Sequence, residues 1–326
     1  MLTLSIEEQV FPLAEVFTIS RGSRSEARVV VATLNDGAHT GRGECVPYAR
    51  YGESVKSVMA QIDSMRDALS NGMDRLALQS CLPAGAARNA LDCAFWDIEA
   101  KRAGKPVWEL AGIDIPKAEI TAFTLSLDTP DIMREKARHY AAWPLLKLKL
   151  GGEGDLERLE AVREGAPESR IIVDANEGWD RDAYQSLAPA LLALGINMVE
   201  QPLPASNDAP LAEIERLLPV CADESCHDRS SLQSLVGRYD MINIKLDKTG
   251  GLTEALALKQ EALARGFDIM VGCMVGSSLS MAPALLVAQG AAVVDLDGPL
   301  LLSRDREHGM RIDADGVRPA VSALWG

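Results

Sequence analysis

No run of apolar residues in this sequence approaches the roughly 20 needed for a helix to cross a bilayer, and the first ten residues, MLTLSIEEQV, carry no basic stretch. Neither a membrane span nor a secretory leader is therefore expected. Positive charge is scarce: 33 Lys and Arg stand against 47 Asp and Glu, leaving a formal net charge of -14. A nucleic-acid partner, which needs clustered cations against phosphates, is disfavoured. The six cysteines contain no C-x-x-C pair, and the four histidines (His39, His139, His227, His308) fall at no zinc-ligand spacing, so neither a disulfide framework nor a zinc site is indicated. Gly41-Arg42-Gly43 and Gly151-Gly152 leave G-x-G-x-x-G incomplete, and nucleotide binding has no motif to rest on. The expectation is a soluble, cytoplasmic protein with reduced thiols.

What is present is length and pattern. A chain of 326 residues, 47% hydrophobic, can bury a large core and suits one α/β barrel with a smaller accessory domain. In the first third, Ala27 to Leu34 (ARVVVATL) predicts a strand after a polar loop from Ile19 to Glu26. Ser54 caps an expected helix on which Val55, Val58, Met59, Ile62, Met65 and Leu69 recur at helical spacing. A second helix is expected from about Ala84 to Ala103, stopped by Gly104 and Pro106. Pro116 marks the boundary, giving an α+β domain over 1–115, completed by the polar tail 304–326, and a barrel over 116–303.

Beyond Pro116, short apolar runs ending in a polar residue alternate with longer helix-like stretches. The runs are Glu119 to Leu125, Leu145 to Leu150, Arg170 to Asp174, Ile196 to Glu200, Pro219 to Asp223, Met241 to Lys245, Asp268 to Cys273 and Ala291 to Asp295. Their end residues Lys149, Asp174, Glu200, Asp223, Lys245, Cys273 and Asp295 lie 22 to 28 positions apart, about the length of a strand, a helix and two loops. Eight such units predict a (β/α)8-type barrel. An open doubly wound sheet is the rival, and even spacing favours closure.

Catalytic groups in barrels gather at the carboxyl ends of strands. Asp174, Glu200 and Asp223 end three successive runs. Any one of them could be a helix cap, but three adjacent carboxylates stay ionised only with a neutralising cation. Oxygen ligands suit a hard metal, Mg²⁺ first and Mn²⁺ second. Lys147 and Lys149 are two apart on one strand and share a face. Lys149 ends the second strand and Lys245 the sixth, on opposite sides of an eight-stranded ring. Nearby positive charge would depress a lysine pKa enough to make a base, with Lys147 and the metal stabilising a doubly negative carboxylate-derived enolate. A base on each face predicts racemisation or epimerisation. The alternative for Lys245 is a structural salt bridge to Glu200 or Asp223.

These residues fall into motifs: K-x-K at Lys147 and Lys149, D-x-N at Asp174 and Asn176, E-Q-P at Glu200, A-D-E at Asp223 and Glu224, and N-I-K-L-x-K-T-G-G from Asn243 to Gly251. In that order and spacing the chain resembles the enolase superfamily, muconate-lactonising subgroup, and within it the dipeptide epimerases. Asp92 to Gly112 is also similar to that family's segment leading into the barrel. The resemblance implies a (β/α)7β barrel under a capping domain whose loops close over the substrate, metal ligands Asp174, Glu200 and Asp223, and acid/base lysines Lys149 and Lys245. It further implies a dipeptide substrate. Asp295 and Asp297 would receive its amino terminus, Arg24 a glutamate side chain, and Thr124 would be a further contact. Plainer readings exist, a turn at Asp297-Gly298-Pro299 and a solvated cation at Arg24.

One departure is Gly276, where many subgroup members carry an acidic residue. The implied activity is two-base 1,1-proton transfer through an enediolate, interconverting L-Ala-D-Glu and L-Ala-L-Glu, in murein peptide recycling. Other racemase, cycloisomerase or dehydratase activities of the superfamily are alternatives, as is a metal-dependent barrel aldolase or hydrolase. Whether the chain forms a homo-oligomer stays open.

Overall fold

The chain opens with a three-stranded antiparallel meander, β1 (Thr3–Ile19), β2 (Gly22–Asn35) and β3 (Thr40–Cys45). The computed structural model describes all residues from Met1 to Gly326. The polar stretch expected as a loop between Ile19 and Glu26 is instead a hairpin: Phe17 pairs with Arg24 and Ile19 with Gly22. Only Ser20 and Arg21 turn, and Ser23, Ser25 and Glu26 sit exposed on the paired strands. Strand β1 escapes the sequence pattern because Pro12 and three glutamates interrupt it, and the pairing register slips between Pro12 and Phe17.

Helices α1 (Val55–Asp63), α2 (Arg66–Ser70), α3 (Arg75–Cys81), α4 (Ala86–Ala103) and α5 (Val107–Leu110) follow. Ser54 does cap α1, exchanging hydrogen bonds with Ser57, but the helix breaks at Ser64 and Met65 before Leu69. Helix α4 is buried over most of its length. Its alanines let β3 approach so closely that a Cβ at Gly43 would lie 2.1 Å from the Ala90 carbonyl oxygen and one at Gly41 2.3 Å from that of Ala94. The two glycines are thus spacers between strand and helix.

The barrel runs β4 (Phe123–Leu125), α6 (Pro130–His139), β5 (Leu145–Lys149), α7 (Asp155–Gly165), β6 (Arg170–Asp174), α8 (Arg181–Ala193), β7 (Ile196–Glu200), β8 (Val220–Ala222), α9 (Leu232–Leu235), β9 (Met241–Ile244), α10 (Leu246–Thr249), α11 (Leu252–Ala264), β10 (Asp268–Val271), α12 (Ser278–Ala288) and β11 (Val293–Val294). The eight strands are parallel and in chain order. The Ala122 N–H donates to the Val294 carbonyl at 2.8 Å, joining last strand to first. One residue per strand forms an apolar floor inside the ring: Ala122, Leu145, Ile172, Met198, Cys221, Met241, Met270 and Val293. The eighth strand is followed by a 3₁₀ turn, Gly298–Leu301, rather than a helix, which makes the barrel (β/α)7β.

The helix expected after the fourth barrel strand is absent. Two 3₁₀ turns, Ala205–Asn207 and Ala209–Ala212, replace it, because Pro202, Pro204 and Pro210 remove backbone donors and fix φ along the segment. The tail forms a small hairpin, β12 (Ile312–Asp313) and β13 (Gly316–Val317). It ends against α4, where the Trp325 indole donates to the Cys93 carbonyl and the Gly326 N–H to Asp97.

Candidate active site

Side chains alternate along a strand, so the residue two places beyond each floor position also points inward. That step reaches Thr124, Lys147, Asp174, Glu200, Asp223, Asn243, Gly272 and Asp295, a polar layer above the apolar floor. Gly272 is the blank in it: a Cβ there would meet the Asn243 amide at 2.7 Å. Asn243 uses the space to donate to Glu200 Oε1 at 2.7 Å.

A cleft of about 600 Å³ opens over this layer, within the range of small-molecule sites. Lys147, Lys149, Lys245, Asp223, Asp295, Asp297, Thr124 and Arg24 all line it. Asp174 and Glu200 lie buried beneath, paired to lysines. Lys149 and Lys245 belong to β5 and to the residue after β9, four strands apart in the ring of eight, so they face each other across the cleft.

Each lysine holds a carboxylate. Lys149 Nζ lies 2.6 Å from Asp174, and Lys245 Nζ 2.6 Å from Asp223. Lys147 Nζ reaches Glu200 at 2.5 Å, Asp295 at 2.7 Å and Asp174 at 3.4 Å. The salt-bridge alternative for Lys245 is therefore realised, alongside its place in the cleft. Burial works against the charge on Lys245, but Asp223 and Glu200 outweigh it and hold the pKa well above the ordinary value. Lys147 is held up likewise, burial being outweighed by Asp295, Glu200 and Asp174. For Lys245 the neighbouring Lys147 ammonium does act to lower the pKa, as the sequence led one to expect, but the two carboxylates outweigh it.

On the acid side, burial raises the Asp174 carboxyl, yet Lys149 and Lys147 bring it down to about 2. Asp223 falls well below its ordinary range, burial being overcome by Lys245 and Lys248. Glu200 goes the other way, raised by burial and by the charge of Asp174.

The three carboxylates do not encircle one point as they stand; their oxygens are turned to ammonium groups. The donor chemistry nevertheless fits a hard divalent cation: three buried carboxylates on adjacent strands feel one another's charge, and Glu200 Oε2, fully buried, has the Lys147 ammonium at 2.5 Å as its polar neighbour.

Asp297 accepts the Thr124 N–H at 2.6 Å and caps the turn after β11, so the turn reading holds in part while the carboxyl still borders the cleft. Burial and the charge of Asp295 push it up to about 7. Arg24 is half-buried, makes no ion pair, and lies 5.8 Å from the centre of the Tyr48 ring. Gly276 has no room for a side chain: a Cβ would meet Ser280 at 2.8 Å and Glu44 Oε1 at 3.0 Å. An acid does stand there, supplied by β3, for Glu44 accepts the Ser277 N–H.

Sequence reasoning missed several residues. Lys248 clamps Asp223 through its backbone oxygen at 2.6 Å and Oδ1 at 2.7 Å. Its signal was the second lysine of the N-I-K-L-x-K motif. Arg21, at the hairpin tip, reaches Glu224 at 2.7 Å, the Asn176 carbonyl at 2.7 Å and the Tyr48 hydroxyl at 3.1 Å. Tyr48 and Tyr51 also line the cleft; nothing in their local sequence marks them.

Comparison with known proteins places the chain. Residues 132–313 match the family described as "Enolase C-terminal domain-like", and residues 1–112 the "Mandelate racemase / muconate lactonizing enzyme, N-terminal domain". L-Ala-D/L-Glu epimerase of Escherichia coli is 50% identical over 95% of this chain and 98% of its own length. N-acetyl-D-glutamate racemase of Pseudoalteromonas is 46% identical over 91% and 95%. A solved enolase-family protein from Agrobacterium tumefaciens, described as homologous to dipeptide epimerases and holding sodium and L-Ala-L-Glu, superposes with a TM-score of 0.98 at 52% identity and covers all of both chains. The chain belongs to the enolase superfamily, in its mandelate racemase and muconate lactonizing branch.

Proposed function

We propose that this protein is a Mg²⁺-dependent dipeptide epimerase that interconverts L-Ala-D-Glu and L-Ala-L-Glu. The observation that carries the reading is the pair Lys149 and Lys245, facing each other from opposite walls of one cleft above buried carboxylates. One lysine takes the proton from the glutamate α-carbon, and the other returns a proton to the opposite face of the planar enediolate. Lys147 lies between them and donates to the reacting carboxylate.

Asp174, Glu200 and Asp223 would hold the cation, Mg²⁺ before Mn²⁺, whose chemistry when bound is to stabilise negative charge growing on the substrate carboxylate. Lys245 leans on the same Asp223 and Glu200, so its proton affinity is lower whenever those carboxylates serve a cation.

Asp295 and Asp297 receive the amino terminus. Arg24, free of any carboxylate partner, takes the glutamate side chain, and Thr124 borders the same end of the cleft. Residues 1–115 with the tail 304–326 act as a cap on the barrel 116–303, and the β1–β2 hairpin closes the mouth through Arg21. Murein-derived dipeptides are the expected supply.

Incubation with L-Ala-D-Glu and Mg²⁺ in D₂O is expected to place deuterium at the glutamate α-carbon and yield the L,L diastereomer, followed by NMR. Neither signal appearing would overturn the proposal. N-Acetylglutamate, which shares the α-proton but lacks the ammonium group, is expected to exchange more slowly because Asp295 and Asp297 are left without a cationic partner.

A further inference from the structure

Lys149 and Lys245 are supported in different ways. The residues after Lys149 are held by the barrel itself: the Leu150 N–H donates to the Asp174 carbonyl at 3.0 Å, and the Gly151 and Gly152 N–H groups donate to Asp155. The residues after Lys245 are held from outside the barrel, by one face of α4 and the end of β3.

Lys245 is the N-cap of the short helix α10. Asp247, buried in the first turn of that helix, accepts the Asn89 amide at 2.8 Å and the Val46 N–H at 3.0 Å, both on the same carboxylate oxygen. One residue earlier on α4, Arg88 donates to the Thr249 carbonyl at 2.7 Å and the Gly250 carbonyl at 3.2 Å. Gly250 and Gly251, at φ of +77° and +115°, bring the chain so near that a Cβ would strike Arg88 at 2.4 Å or Asp92 at 2.5 Å. The turn that sets the height and direction of Lys245 is therefore clamped to a helix of the capping region.

We propose that Asp247 and Asn89 are positioning residues for Lys245, so that proton transfer on one face of the substrate depends on the contact with α4 and the end of β3 while transfer on the Lys149 face does not. Neither side chain lines the cleft, so the effect passes through the backbone of α10. A misplaced Nζ lowers the rate of proton transfer steeply, because a base must lie within hydrogen-bond reach of the proton it takes. Substrate binding, made by other groups, is spared. The inference rests on the two-lysine reading above.

Exchange of the α-hydrogen in D₂O separates the two lysines, because loss of the proton from each epimer needs only the base on that face. Initial exchange is measured from L-Ala-D-Glu and from L-Ala-L-Glu separately, with Mg²⁺, for wild type, Lys245→Ala, Asp247→Ala and Asn89→Ala. Lys245→Ala identifies the epimer that Lys245 serves. Asp247→Ala and Asn89→Ala are expected to slow exchange from that epimer about tenfold, with kcat falling and KM nearly constant, and to change exchange from the other less than about threefold. Asp247→Asn, which keeps an oxygen for the Val46 N–H, is expected to restore the balance. Asn89→Ala carries the test alone should Asp247→Ala fail to fold.

Equal loss from both epimers, or no loss in either alanine variant, would overturn the positioning role. Wild-type protein exchanging neither epimer would overturn the epimerase reading itself.

Discussion

A carboxyl group sealed from water and left without a cation keeps its proton to high pH, and Asp247 is such a group. Burial, then the charges of Glu53 and Glu44, outweigh its hydrogen bonds and push it up to about 7. In the unfolded chain it titrates near 3.8. Between those values the folded state holds a proton that the unfolded state has released, so this residue lowers stability as pH rises from about 4 to about 7. Asp247→Asn removes that penalty. Its melting temperature is expected to match wild type near pH 4 and to exceed it at pH 8 by about 2 °C or more, as followed by calorimetry; a gap that does not widen with pH would contradict the assignment. At this scale the sequence was most informative where strand period and chemistry coincide. Lys147, Lys149, Asp174, Glu200, Asp223 and Asp295 were legible because a strand-end position fixes both depth and direction. Lys248, Arg21 and Asn89 were not, since each acts across a contact that local sequence does not encode.

Between elements, the approach of β3 to α4 matters most for the site. Gly41 and Gly43 offered no nucleotide motif, and the structure gives them a packing role against Ala94 and Ala90. Gly43→Ala should force α4 outward at a cost of about 2–3 kcal/mol, read from urea denaturation. Because Asn89 rides on that helix, the same variant should unbalance exchange from the two epimers; an unchanged midpoint would refute the tight interface. The element pattern read from sequence was right for all eight barrel strands and for α4, which have strong periodicity or clear stops. It failed at β1, where proline and glutamates mask a long paired strand, and between β7 and β8, where prolines convert a helix slot into 3₁₀ turns. In both places tertiary pairing or backbone chemistry overrode the apolar pattern.

For the molecule as a whole, the proposed cation site is the point where binding and folding would meet. A ligand that binds only the folded chain stabilises it by about 2.7 kcal/mol at a hundred times its Kd. Added Mg²⁺ should raise the unfolding temperature, EDTA should reverse the rise and abolish exchange, and Glu200→Gln should blunt the shift. A melting temperature indifferent to Mg²⁺ would sink the assignment of Asp174, Glu200 and Asp223 as ligands. No helix is long and apolar enough to cross a membrane.

The sequence by itself determined the barrel rhythm, the strand-end acids and lysines and the family, because these depend on spacing along one strand and on side-chain chemistry. Only the tertiary structure decided which carboxylate each lysine holds, that Glu44 fills the place left by Gly276, and that α4 grips the turn behind Lys245. Those are contacts between residues distant in the chain, and their energies depend on distance, burial and neighbouring charge, quantities that exist only once the chain has closed on itself.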